Sequence, residues 1–380
     1  MLTLEQVKFM IDKTIKGVLS DFMTSEQVEP MVEKAIKDAF STMRPFKLFG
    51  LNGSKEYATE VAKYLKTEVT PHEERIFEDG EPYVKSINGI SGNVRGHNVF
   101  VIQSLYSDQQ ESVSEKFIKL CIMCSSLRDA SAHEVTAIIP HLAWARQDRK
   151  TESRAPITTK YIARMLESCG INRALFLDLH SLSAEQNAFN VPIDNLEAKN
   201  LFADWCCAKL IEEKKTKKIR VLSPDSGGLG RCNRFRLALL NRLNSAGIKL
   251  DDIEIVIFDK LRIKGVVHGG RIIGDIENSD VILLDDIIST GGTINSAYKA
   301  AVNQGGRIFA VCATHGLFCG NANSFLDNIK AHIVVTDSVS PFRLNENNLK
   351  KLHVISTTKM MADAILRIHS GSGSISQLLK

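Results

Sequence analysis

Two adjacent carboxylates, Asp285 and Asp286, follow an apolar run, Val281-Ile282-Leu283-Leu284, and precede Ile287-Ile288-Ser289-Thr290-Gly291-Gly292-Thr293. The apolar run reads as a buried strand of a parallel sheet, ending at the acidic pair. A helix resumes over Asn295 to Val302. A loop of small residues between a strand and a helix N-terminus offers backbone amides and a helix dipole to an anion. The carboxylates can accept hydrogen bonds from sugar hydroxyls. Together they suit a phosphorylated sugar. A plain βα turn would account for Ser-Thr-Gly-Gly alone; the complete run is more specific.

Three further groups carry charge where chemistry could use it. Arg146-Gln147-Asp148-Arg149-Lys150 and Ser153-Arg154-Ala155-Pro156-Ile157-Thr158 place three arginines and a lysine within nine residues, after a strand at Val135 to Pro140. Such a cluster can be a solvated face, but guanidinium forks fit phosphate oxygens, and α/β sheets bind ligands at the carboxyl ends of their strands. Asp178-Leu179-His180 and Ser223-Pro224-Asp225-Ser226-Gly227-Gly228 each end a short apolar strand. A lone histidine is more often structural. From neighbouring strand ends, His180 and Asp225 could instead hold a magnesium ion carrying a nucleotide, because magnesium uses few protein ligands. Lys260 and Arg262, two apart, can face the same way. They open a segment, Ile263 to Arg271, whose glycines suggest a mobile flap. Paired cations on a closing loop suit phosphoryl transfer, where charge builds on the transferred oxygens.

The elements that must position these residues alternate. Strand-like runs at Leu48–Gly50, Val99–Ser104, Val135–Pro140, Leu175–Leu179, Arg220–Ser223, Ile253–Phe258, Val281–Leu284, Ile308–Ala313 and His332–Thr336 are mostly separated by helical patterns. This is βαβ logic with mostly parallel sheets. The expected class is α/β, with two similar domains over 45–198 and 199–380 and a helical prefix over 1–44. In that prefix Glu5-Gln6-Val7 recurs as Glu26-Gln27-Val28, so it reads as two amphipathic helices, a hairpin for packing, oligomerisation or partner docking. The Gly/Ser-rich tail from Gly371 is expected to fray.

Composition narrows the class. With 380 residues the chain has ample core for two domains. A net charge of +4, from 48 basic and 44 acidic residues, is too balanced to argue for nucleic acid. No run of about 18 apolar residues exists, so no membrane span is expected. No signal peptide is expected, and eight cysteines without metal-type spacing suggest reduced thiols in a cytoplasmic setting.

From about Lys47 to His369 the ordered motifs resemble ribose-phosphate diphosphokinases, built on the type I phosphoribosyltransferase fold. The matching pieces are Phe77-Glu78-Asp79-Gly80-Glu81, Ala145 to Lys150, Ser153 to Thr158, Asp178-Leu179-His180, Pro192-Ile193-Asp194, Ser223 to Gly228, Asp259-Lys260-Leu261-Arg262, the Asp285 run, and Val334 to Ser338. The resemblance implies transfer of the β,γ-diphosphoryl group of Mg-ATP to the anomeric hydroxyl of ribose 5-phosphate, giving phosphoribosyl diphosphate and AMP. It implies ATP contacts at Arg146, Gln147 and His180, with Phe77, Asp79 and Glu81 reaching a neighbouring subunit's ATP in a homo-oligomer. It implies His180 and Asp225 for magnesium. Asp225, Asp285, Asp286, Ser289, Thr290, Gly291, Gly292 and Thr293 would hold the sugar phosphate, and Lys260 and Arg262 would act on the transferred group. The chain departs from the family pattern after His180, where Ser181 to Phe189 is longer and lacks a glycine, in the flap, which lacks a third basic residue and a proline, and in its prefix. Those departures keep a substituted acceptor such as ADP-ribose, or a non-catalytic regulatory homologue, as alternatives.

Overall fold

The computed structural model describes residues 44–379 except 88, 90–91, 216–217, 249–252 and 264–265; the side chains of 260–269 also lie outside that description. The prefix hairpin expected over 1–44 therefore lies, apart from Arg44, outside the described residues.

The first half runs β1 (Phe46–Gly50), α1 (Lys55–Leu65), β2 (His72–Ile76), β3 (Pro82–Ser86), β4 (Asn98–Ile102), α2 (Val113–Asp129), β5 (Glu134–Ile139), α3 (Thr158–Ser168), β6 (Arg173–Leu177), α4 (Leu182–Ala188), β7 (Ile193–Leu196) and α5 (Lys199–Glu212). The second runs β8 (Ile219–Ser223), α6 (Leu229–Ser245), β9 (Glu254–Ile263), β10 (Val266–Ile273), β11 (Asp280–Ile288), α7 (Gly292–Asn303), β12 (Arg307–Gly316), α8 (Ala322–Asp327), β13 (His332–Thr336), α9 (Glu346–Leu349), β14 (Leu352–Ile355) and α10 (Thr358–Ser370).

Five strands pair in parallel in the order β1-β4-β5-β6-β7. Seven form the second sheet, β10-β9-β8-β11-β12-β13-β14, with only the β9–β10 pair antiparallel. The molecule is thus α/β with mostly parallel sheets. Strands such as β8 are buried along their whole length, which is why they read as continuous apolar runs rather than alternating ones. α2 starts on a reciprocal capping box, Ser112 with Glu115. One apolar core crosses between the halves: Leu48, Val61 and Leu65 share a cluster with Phe235, Leu284, Met361 and Ile365.

Three elements differ from the sequence reading. β11 continues past Leu284 to Ile288, so Asp285 and Asp286 lie inside a strand, not beyond its end. The reason is β12, whose long ladder pairs Asp285 with Ala313 and Ile287 with His315. The segment expected as a flap is the antiparallel β9–β10 pair at the sheet's edge, with Lys260 opposite Gly270 and Arg262 opposite Val267. The tail does not fray: Ile375–Leu379 forms a 3-10 turn, Ile375 and Leu378 pack on the shared core, and Arg367 bonds the Ser374 carbonyl and the Gln377 side chain.

Candidate active site

The carboxyl ends of β5, β6, β11 and β12 open on one cleft of about 180 Å³ between the two sheets. It takes Arg146 from beyond β5, His180 from beyond β6, Asp286 and Ser289 from β11 and the loop after it, and His315 from β12. Arg146 and His315, 169 positions apart, thus meet because parallel strands present the same end.

Charge in the cleft is organised by Arg231, in the first turn of α6. Its Nη1 lies 3.4 Å from Asp285 Oδ1 and 3.3 Å from Asp286 Oδ1. On its other oxygen Asp286 meets His180 Nδ1 at 2.7 Å, while the Asp286 amide donates to Asp285 Oδ1 at 2.9 Å. Burial alone would push Asp286 up, but Arg231 and then His180 hold its carboxyl below the usual range. Burial and the neighbouring Asp286 charge push Asp285 well up. The bond to Asp286 raises His180, which favours the imidazolium. The result is a pre-arranged line of contacts, Arg231–Asp286–His180, at the cleft floor.

Behind it sits a neutral layer. His315 is buried and pushed down to about 4, chiefly by desolvation. Its Nε2 faces the Leu177 carbonyl at 3.1 Å, so that nitrogen carries the proton, and Nδ1 meets Ser338 Oγ at 2.8 Å. His141 stacks on it with ring centres 4.6 Å apart. Asp178, at φ 43°, accepts from Thr314 Oγ1 at 2.6 Å and from the Ala198 amide at 2.9 Å. Bonds from β6's end to β12 therefore fix the two halves against each other directly under the cleft.

The loop after β11 turns on a glycine. Gly291 has φ 81°, and a Cβ there would meet the Phe325 ring at 2.4 Å. Both a left-handed backbone and the close approach require glycine. Gly291→Ala is expected to cost about 2–5 kcal/mol by summing the two penalties. Urea unfolding measures it, and an unchanged midpoint contradicts the argument.

Other residues singled out in the sequence lie elsewhere. Asp225 caps the turn after β8, accepting from the Gly227 and Gly228 amides at 3.0 and 3.2 Å. Asp285 turns to the far side of β11, where it and Arg231 line a small cavity with Glu197 and Arg234. Gln147 is tied by its side chain to Thr158 Oγ1. Phe77, Asp79 and Glu81 occupy the tip of the β2–β3 hairpin, closed by the Phe77 amide to the Glu81 carbonyl at 2.9 Å, with the Arg75 guanidinium 4.7 Å from the Phe77 ring centre. They do not line the cleft. The side chains of Lys260 and Arg262 are outside the described residues. Thr290, Gly292 and Thr293 complete the loop into α7.

Sequence reasoning missed Arg231, Trp144 and Arg343. Arg231 stands three residues after the Gly227-Gly228 pair, a placement that a cation at a helix start could have flagged. Trp144, at φ 63°, and Arg343 line the cleft without a motif. Arg343 reaches Ser107 Oγ at 3.1 Å and Cys319 Sγ at 3.2 Å, again joining the halves.

Comparison with known proteins agrees with this architecture. A model described as the N-terminal domain of ribose phosphate pyrophosphokinase matches residues 46–170, and one described as a phosphoribosyl synthetase-associated domain matches 267–380. The chain is 35% identical over 329 residues to a ribose-phosphate pyrophosphokinase of Campylobacter jejuni, covering 86% of this chain and 97% of that one. It is 35% identical over 326 residues to the Bacillus cereus protein of the same name, covering 85% and 94%. The phosphoribosylpyrophosphate synthetase of Mycobacterium smegmatis superposes with a TM-score of 0.74 at 28% identity, over 87% of this chain and all of that one. The class is that of α/β transferases with paired parallel sheets. The chain belongs to the ribose-phosphate pyrophosphokinase family.

Proposed function

We propose that this protein transfers the β,γ-diphosphoryl group of ATP to the anomeric hydroxyl of ribose 5-phosphate, giving phosphoribosyl diphosphate and AMP. The observation that carries the reading is the single cleft in which Arg146, His180 and the Asp286–Ser289 pair, drawn from three separate family motifs, come together. The C1 oxygen attacks the β-phosphorus in line as the bond to the α-phosphate bridging oxygen breaks, and the C1 hydroxyl proton is released. Arg146 and Gln147 hold the nucleotide. Asp225 and the loop from Ser289 to Thr293 hold the sugar phosphate. Asp286 and Asp285, inside β11 near its carboxyl end, orient the ribose, Asp286 from the cleft side. Lys260 and Arg262 act on the oxygens that gain charge. The protein has little covalent work to do, so positioning and charge dominate.

Magnesium fits as a nucleotide-borne ion. Among the described residues no group of three or more His, Cys, Asp or Glu could cage a metal by itself, and magnesium needs only one or two carboxylates beside phosphates and water. His180 and Asp225 would serve it, and when bound it would neutralise phosphate charge. The relatives' names carry a ribose phosphate, and ribose 5-phosphate is the acceptor in this reading. Incubation with Mg-ATP and either ribose 5-phosphate or ADP-ribose, with AMP measured, tests this. AMP release with neither acceptor, or with ADP-ribose alone, contradicts it. Among the described residues no helix is long and apolar enough to cross a membrane; the reading is of a cytoplasmic enzyme.

We also infer a homo-oligomer with shared ATP sites, because Phe77, Asp79 and Glu81 on the hairpin tip do not line their own cleft and Phe77 is 41% exposed. Phe77→Ala is expected to raise KM for ATP about tenfold, the worth of one aromatic stacking contact. Full activity of an enforced monomer would sink this assignment.

A further inference from the structure

Glu185 lies on α4, the short helix that replaces the family's glycine-containing stretch after His180, and it is fully buried. Its Oε1 accepts a hydrogen bond from Thr159 Oγ1 on α3. Its Oε2 is buried and has no hydrogen-bond partner. Thr159 is also joined to the nucleotide loop, since its amide donates to the Gln147 carbonyl at 3.5 Å, while the adjacent Thr158 hydroxyl donates to Gln147 Oε1. A chain of contacts, Glu185–Thr159–Gln147, thus spans from the helix after His180 to the loop holding Arg146.

A buried acceptor left unmet is costly, and a satisfied apolar residue would serve packing better. Its neighbours also argue for a role. Burial pushes the Glu185 carboxyl up to about 7, the Thr159 bond opposes this, and the Asp148 charge adds to it while His180 lowers it. The groups that sense Glu185 are therefore those flanking the proposed nucleotide: Asp148 next to Gln147, and His180 at the cleft floor.

We propose that Glu185 is a positioning residue that holds Gln147, and with it the nucleotide loop, through Thr159, so that the ATP side of the cleft is set by the helix that follows His180. The inference rests on the reading of residues 146–150 as the nucleotide loop. Glu185 touches no reacting atom, and its effect is on where the nucleotide sits.

The test compares Glu185→Ala, Glu185→Gln, Thr159→Val, Thr159→Ser and the Glu185→Ala/Thr159→Val pair in the full chain. Mg-ATP affinity is measured by equilibrium binding, and KM and kcat by AMP release. Glu185→Ala and Thr159→Val are each expected to weaken ATP binding and raise KM for ATP about tenfold, with kcat changed less than about threefold. The double variant should lose little more than either single one, because both break one linkage. Glu185→Gln and Thr159→Ser keep the hydrogen bond and should recover most of the affinity. Unchanged ATP affinity in the disruptive variants overturns the proposal, as do additive losses or conservative variants as weak as the disruptive ones. A purely structural Glu185 would lower stability and kcat without this KM split. If Glu185→Ala does not fold, the Thr159→Val and Thr159→Ser pair decides alone. A wild-type chain that binds ATP but releases no AMP overturns the reaction and leaves the affinity comparison to decide Glu185; one that binds no ATP overturns both.

Discussion

Arg231→Met is expected to destabilise the fold by about 3–5 kcal/mol, the cost of removing one partner from a buried ion group. Methionine keeps most of the aliphatic stem, so the loss is mainly electrostatic. Asp285 and Asp286 would face each other beside His180 without the guanidinium that lies 3.3–3.4 Å from both. Urea unfolding at several pH values checks the argument. Asp286 is held below the usual carboxylate range, so the stability it contributes is present above its unfolded value, about 3.9, and is lost as pH falls through the folded value. A proton can replace the missing cation. The deficit of the variant should therefore be largest near neutrality and shrink in acid. A deficit independent of pH would mean that packing, not charge, is what Arg231 supplies. Arg231→Lys should recover only part, because an ammonium is more strongly hydrated than a guanidinium and loses more on burial.

Lys260→Ala is expected to lower kcat about 10²- to 10³-fold while changing ATP affinity little, the signature of a contact made mainly in the transition state. Position 260 lies on β9 opposite Gly270 of β10, on an edge pair rather than a glycine-rich loop. Such a pair can swing as a unit, so that charge need not be offered to the ground state. Steady-state kinetics beside equilibrium ATP binding separate the outcomes, and equal losses in both would remove Lys260 from the transition state. Arg262→Ala should behave alike, since the two positions are two apart on one strand.

The class of fold was legible in the sequence because buried parallel strands announce themselves as apolar runs, and nine such runs fell on strands. Lengths were less so: β11 and β12 extend each other by pairing, and no local pattern marks that. Glycine content hid the strand over 266–273, because a strand can hold glycine where a neighbour comes close, as at Gly270, whose added Cβ would meet the Asp259 carbonyl at 2.4 Å. Site residues carried by motifs, such as Arg146, His180, Asp286 and Ser289, were named from the chain alone. Arg231 was not, because its partners are acidic residues 54 and 55 positions away. Glu185 was not, because only burial distinguishes it from a solvated helix face.

The last long helix, α10, packs against the first, α1, near residue 57, where Tyr57 Oη and Thr357 Oγ1 are 2.8 Å apart. A ribosome makes these partners in opposite order from their need: the outer face of α1 must wait, uncovered, for about 300 residues of further synthesis. At about 5–20 residues per second that wait lasts roughly 15–60 seconds. During it Leu48, Val61 and Leu65 lack the Met361 and Ile365 side chains that complete their cluster. Nascent chains arrested before residue 358 should therefore bind hydrophobic chaperones and resist protease poorly, and release of the complete chain should end both states together.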